Sequence, residues 1–243
     1  FCPLAFSPSS VLQYPIMIRQ RSSERAVLFG YFIVLILFGT GMLYLPISWG
    51  GSGRLQLLDA FFTSVSAVCV TGLITVDTAQ FSLFAKWIIL FLIQFGGLGI
   101  LTFTTIFFIS GSGRKVSLRE SGALKKYYLE SVEFHAGHIL RNILLMTLIV
   151  ETSGALLLYA LTYQDTVSRL SLFSSLFHAV SAFCNAGFSL FSDSLYGYSD
   201  NPAVLVTVMI LIVVGGLGFL VLNDVKQVLF RKKKRLTLHS VLV

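Results

Sequence analysis

A twelve-residue segment occurs twice in this chain, and that recurrence restricts the fold more than any other feature. Phe62-Thr-Ser-Val-Ser-Ala-Val-Cys-Val-Thr-Gly-Leu73 aligns without a gap on Phe177-His-Ala-Val-Ser-Ala-Phe-Cys-Asn-Ala-Gly-Phe188. Phe62, Val65, Ser66, Ala67, Cys69 and Gly72 each meet an identical residue 115 positions later. Further on, Gly96-Gly-Leu-Gly-Ile100 answers Gly215-Gly-Leu-Gly-Phe219 at a separation of 119. The chain is therefore a tandem duplication.

The apolar runs say what is duplicated. Val27 to Ile47, Ala85 to Ile109, Ile139 to Leu161 and Val204 to Leu222 approach the roughly 20 helical residues needed to cross a hydrocarbon core. Leu57 to Cys69 and Leu170 to Cys184 are equally apolar but reach only about 20 Å as helices, too short to cross. They read as re-entrant segments that dip in and return to the same side. Each repeat is thus helix, short helix, Gly-containing turn, helix. Two full helices bring the chain back to its starting side, so the repeats share one orientation. The fold class expected is an all-α polytopic membrane protein. Its divisions are an N-terminal tail (1–25), a first repeat (26–110), a basic linker (111–138), a second repeat (139–223) and a basic tail (224–243).

Charge supports a bilayer and sets the orientation. Charged residues make up only 12% of 243 residues, about half the fraction in a soluble domain. All but Arg54, Lys86 and Arg169 of the 18 Lys and Arg residues fall in the joints on one side, which the positive-inside rule makes cytoplasmic. Both termini are expected there, in the plasma (inner) membrane of a multi-pass protein. The net charge of +7 needs no nucleic acid, because no aromatic residues interleave a basic face. On the opposite side Asp59, Asp77, Asp165, Asp193 and Asp200 would concentrate cations at a mouth, unless they are simply solvated loop acids. Phe1 to Ile18 lacks the layout of a signal peptide and is set aside for function.

A short helix ending at a Gly inside a membrane exposes backbone carbonyls, which cost several kcal/mol each unless they face protein or water. Each half-helix runs inward from outside, so its negative C-terminal end points at mid-membrane and favours a cation there. The turns that follow, Val70, Thr71, Gly72 and Leu73 with Asn185, Ala186, Gly187 and Phe188, can aim carbonyl oxygens at the same axis. Rings of such carbonyls replace the hydration shell of potassium in selectivity filters. Gly72 and Gly187 are suited to this because glycine adopts positive φ without a side chain in the way.

At these residues the chain resembles the Trk/Ktr/HKT superfamily of potassium transporters, most closely the Ktr-type membrane subunit. Asp59 to Thr78 is similar to that subunit's first pore loop, Ile93 to Ile100 to the helix after it, and Phe177 to Phe188 to its second pore loop. Cys184 stands where the family pattern has Asn, and Ser189 where it has Asp. The resemblance runs from about Ser22 to about Arg235 and covers two of the family's four units. It implies channel-like potassium permeation, with sodium as a second candidate ion, through a filter that includes Gly72 and Gly187. It implies too that four loops must be gathered, by a homodimer or by a missing C-terminal half, and that a cytoplasmic ring of nucleotide-binding subunits docks on the basic linker and tail. Anionic lipid is an equal candidate for those basic segments. The family's gating loop and pore-facing Arg have no counterpart, so a non-conducting fragment or assembly subunit is the alternative reading.

Other residues carry less. Glu151, in mid-span, is expected to pair with a polar neighbour or to act in gating, its partner not readable from sequence. Gln94 reads as an interhelical hydrogen bonder, and Gly96, Gly97, Gly99, Gly215, Gly216 and Gly218 as close-packing positions with a hinge role as the alternative. His135 and His138 lack the further ligands a metal site needs. Cys2, Cys69 and Cys184 fit neither a disulfide framework nor zinc. No covalent cofactor is implied, no metal beyond the permeant cation, and no enzyme, since the spans lack catalytic pairings.

Overall fold

The computed structural model describes residues 29–51, 53–112, 136–163, 170–218 and 221–222, with segments 100–112 and 136–140 as backbone only. Six helices carry it: α1 (Phe29–Leu43), α2 (Leu57–Val68), α3 (Leu83–Ser112), α4 (Ala136–Thr162), α5 (Leu172–Phe183) and α6 (Pro202–Gly216). The two short segments expected to be half-helices are α2 and α5, of 12 residues each. Ser171 starts α5 by accepting from the Ser174 amide, an ordinary N-cap.

Two of the four expected spans change at their ends. The first was read as far as Ile47, but α1 stops at Leu43. Pro46 opens a separate 3-10 turn, Pro46–Ser48, and the residue before it is extended, with φ −59° and ψ 139° at Leu45, as the ring of a following proline demands. The fourth was read as continuous to Leu222, yet α6 ends at Gly216 and Gly218 turns with φ +78° before helical backbone resumes at 221. Glycine is what permits that break. By contrast α3 runs 30 residues, about 45 Å. Among the described residues Arg141–Thr162 within α4 is by itself long and apolar enough to cross a membrane, the apolar stretches Phe29–Leu43, Leu83–Gly99 and Pro202–Gly216 being shorter. Residues 113–135 of the linker, the basic tail, Cys2, His135, Asp165 and Arg169 lie outside the described residues, as do most of the basic residues that set the orientation.

Within each repeat the first helix and the last pack closely at a glycine. A Cβ on Gly39 would run into Leu92 and Ser64, and one on Gly154 would run into Leu211. These contacts are equivalent, since Gly154 lies 115 residues after Gly39 and Leu211 lies 119 after Leu92. The Tyr31 hydroxyl donates to the Phe95 carbonyl at 3.0 Å, joining the start of α1 to the middle of α3, so the two helices run antiparallel. Ser64 on α2 donates to the Ile36 carbonyl of α1 at 2.8 Å.

The repeats interlock. The first hydrophobic core, built on Leu43, Ala67, Ile89 and Ile93, also takes in Phe177, Val180, Ala186 and Phe188 from the second repeat. A second core joins α4, α5 and α6 through Leu158, Ala179, Val204 and Leu211. On the loop side Ser192 donates to the Asp77 carboxylate, tying the outer loop of one repeat to that of the other.

Candidate functional site

Each half-helix ends against the backbone of its repeat's last helix, near the middle of α3 in the first repeat and near the end of α6 in the second. A Cβ on Gly96 would overlap the carbonyl oxygen of Val68, the last residue of α2, and one on Gly215 would overlap that of Phe183, the last residue of α5. Both glycines stand 13 positions into their helix, α3 or α6. That is about 20 Å from its start. Glycine at these two points lets one helix backbone touch the end of another, as the close-packing expectation requires. Gly97 does the same for the Cys184 side chain.

Beyond each half-helix the backbone folds the same way twice. Val70 N–H donates to the Ala67 carbonyl and Thr71 N–H to that of Ser66; Asn185 N–H donates to Ala182 and Ala186 N–H to Ser181. This is a Schellman cap, closed by a left-handed residue. That residue is Val70, φ +56°, in the first repeat and Asn185, φ +60°, in the second. Asn tolerates the left-handed region, but for a β-branched Val it is a genuine outlier. Gly72 and Gly187 follow, both with φ +72°. Positive φ therefore alternates with negative φ along residues 70–72 and 185–187. Such alternation turns successive carbonyls toward one side of the chain.

The two turns meet. A Cβ on Gly72 would press on the Ala186 carbonyl oxygen and lie 3.0 Å from Gly187 Cα, whereas one on Gly187 would be an ordinary 3.6 Å from Gly72 Cα. Thr71, Leu73, Asn185 and Gly187 are exposed, Val70 and Gly72 half-buried, and Ala186 and Phe188 buried. The eight residues singled out from sequence are thus gathered at one place. Phe188 differs from the rest in that its carbonyl accepts from Ser181 Oγ at 2.7 Å, so one of its lone pairs is held by the half-helix.

Several residues that support these turns went unweighed in the sequence. His178, buried in α5, meets the Ser174 carbonyl at 2.7 Å through Nδ1 and Ser189 Oγ at 3.1 Å through Nε2. A carbonyl only accepts, so Nδ1 carries the proton and Nε2 accepts from Ser189. Phe191 stacks on the imidazole at 5.1 Å. Ser189 is thereby fixed one residue after the second turn. The first repeat has Thr63 and Ile74 at the corresponding places, a difference that the alignment of the repeats already displays. Glu151 has a partner after all: Cys184 Sγ lies 3.9 Å from its Oε1, and the Gln94 amide faces the same carboxylate. Asp77 is spent on the Ala79 amide and Ser192, and Lys86 on the Ala79 carbonyl at 2.8 Å. Asp193 and Asp200 remain exposed.

Among the described residues there are helices and no strands, and their arrangement as two helix pairs that each hold a half-helix is that of an all-α membrane protein of tandem repeats. Comparison with known proteins agrees. Residues 10–240 match the TrkH family, described as a cation transport protein. The chain is 35% identical over 226 residues to the potassium/sodium uptake protein NtpJ of Enterococcus hirae, covering 92% of this chain and 49% of that one. It is 37% identical over 215 residues to the Ktr system potassium uptake protein B of Bacillus subtilis (88% and 47%), and 34% over 208 residues to the protein of that name in Vibrio alginolyticus (85% and 45%). The chain belongs to the TrkH family of cation transport proteins, as a membrane subunit of the Trk/Ktr kind. It spans about half the length of the curated relatives it matches.

Proposed function

We propose that the chain supplies half of a potassium permeation pathway, in which the carbonyls of Val70 to Leu73 and of Asn185 to Phe188 replace the water around a cation. The observation that carries this reading is the pair of glycine turns, built identically at the ends of two half-helices and lying against each other. Two helix C-termini and two strings of carbonyl oxygens converge there, an arrangement that favours a cation. The relatives, named as potassium or potassium/sodium uptake proteins, support the choice of ion, with potassium first and sodium second. Movement is passive, down the electrochemical gradient.

Two turns enclose a cation on one side only, so the pathway needs two more. The uncovered surface of the first repeat is where they would join. Phe177 is fully buried against the first repeat, but its equivalent Phe62 is 36% exposed, and the exposed Cys69 corresponds to the partly covered Cys184. On α6, Val213 is 60% exposed at the place where α3 carries Gln94. Further units, from a second copy or from a following half, would cover Phe62 and Cys69 as α3 covers Phe177 and Cys184. The basic linker and tail face the cytoplasm in this reading, as contacts for regulatory subunits or anionic lipid.

The test is uptake of rubidium, as a potassium tracer, into liposomes holding the chain together with whatever completes four turns. Potassium-dependent uptake is expected, and Gly72→Asp or Gly187→Asp should abolish it while leaving insertion intact. No uptake with four turns present, or undiminished uptake in both variants, would contradict the proposal.

A further inference from the structure

Behind the second turn lies a polar cluster that permeation itself does not use and that the first repeat lacks. Glu151, 3% exposed in the body of α4, faces the Cys184 thiol of α5 and the Gln94 amide of α3. The Gln94 carbonyl oxygen is buried without a partner, so within the cluster Glu151 is the acceptor and Gln94 and Cys184 are its donors. A carboxylate at this depth in a membrane is costly unless it is hydrogen-bonded, so these donors hold it and it holds them. Cys184 is the last residue before the left-handed Asn185 and caps α5. Gly97 of α3 makes room for its sulfur. The corresponding places in the first repeat and in α6 are Ile36, Cys69 and Val213, none of which can form such a set with the others.

We propose that Glu151 is the positioning residue for the second turn. By binding the Cys184 thiol and the Gln94 amide together, it locks the cap of α5 to the neighbouring repeat and so fixes where the carbonyls of Asn185, Ala186 and Gly187 stand. A filter discriminates between potassium and sodium through the placement and stiffness of its carbonyls. Ion preference therefore depends on Glu151 even though the residue touches no ion. This consequence rests on the permeation reading above; the lock itself does not.

The experiment uses the full chain in detergent with Cys2→Ser and Cys69→Ser, leaving Cys184 as the sole thiol. Maleimide labelling of Cys184 should be slow with Glu151 present, about as slow in Glu151→Gln, which keeps an oxygen able to accept from the thiol, and at least about tenfold faster in Glu151→Leu. Equal rates in Glu151→Leu and the parent would overturn the lock. Should Glu151→Leu not fold, Gln94→Leu removes the other donor and is expected to speed labelling in the same direction; an unchanged rate there overturns the proposal equally. In the liposome assay, Glu151→Leu should lower the preference of rubidium uptake for competing potassium over sodium, and Glu151→Gln should restore it. A changed labelling rate with unchanged ion preference would refute the specificity role. Absence of uptake in every protein, parent included, would count against the permeation reading and leave the labelling result to decide the lock.

Discussion

Gly72 and Gly187 share a φ of +72° and, in sequence, a role, but their surroundings differ. An L-residue in the left-handed region costs roughly 1–2 kcal/mol. That penalty applies to Gly187→Ala, whose added methyl would make only an ordinary contact. Gly72→Ala bears it as well, and in addition drives a methyl against the Ala186 carbonyl, so the opposing turn must move. Gly72→Ala is expected to lower Tm by several degrees more than Gly187→Ala, taking about 2–4 °C per kcal/mol for a chain of this size. Thermal unfolding in detergent measures it, and equal shifts would mean that the turns do not touch. The alignment of the repeats located both glycines, because positive φ is the property that glycine alone supplies freely. It placed Val70 in the turn but could not reveal its left-handed backbone, since a β-branched residue in that region contradicts its own propensity and is held there by the cap around it. Nor could it pair Glu151 with Cys184, which are 33 positions apart in sequence and meet only when α4 packs on α5.

At the scale of the helices, the two half-helices were readable from length and apolarity, and their ends fell within two residues of expectation. What the sequence hid was the break in α6. Its composition remains apolar through Leu222, and only the backbone at Gly218 turns away. Likewise, Pro46 marks the end of α1, but the apolar run across it conceals the stop. The glycine pattern of the long helices, in contrast, has a simple packing meaning. Gly96→Ala should separate α3 from the end of α2, because its methyl would overlap the backbone carbonyl of Val68, which cannot rotate aside. Gly99→Ala presses on the ring edge of Tyr31, a side chain that can swing, and makes an ordinary 3.6 Å contact with Phe32. Overpacking against backbone costs typically 1–3 kcal/mol. Gly96→Ala is therefore expected to destabilise by about that much and Gly99→Ala by less than about 1 kcal/mol, as read from paired melting curves. The reverse order would remove the close contact from the account.

The duplication predicts, at the scale of the whole molecule, that the repeats pack head to tail, with α3 of the first covering the half-helix of the second. The same operation applied once more leaves the Phe62 and Cys69 face waiting for a neighbour. Sequence comparison finds the repeats but not this relation, which depends on exposures that differ between equivalent residues. If further units complete the ring, Cys69 should lose reactivity toward maleimide when they bind. In a Cys2→Ser, Cys184→Ser background, labelling of Cys69 is expected to slow at least about tenfold on assembly, since a thiol must be reached as a solvated thiolate to react. Labelling that stays fast in an assembly shown to conduct would place the joint elsewhere.

The most direct test of the two facing turns is to look for the cation itself. Thallium substitutes for potassium and scatters anomalously, so the assembled protein crystallised in thallium salts should show an anomalous peak between the Thr71–Gly72 and Ala186–Gly187 backbones, within coordinating distance of their carbonyl oxygens. Thallium peaks confined to the outer loops, with none between these turns, would contradict the account.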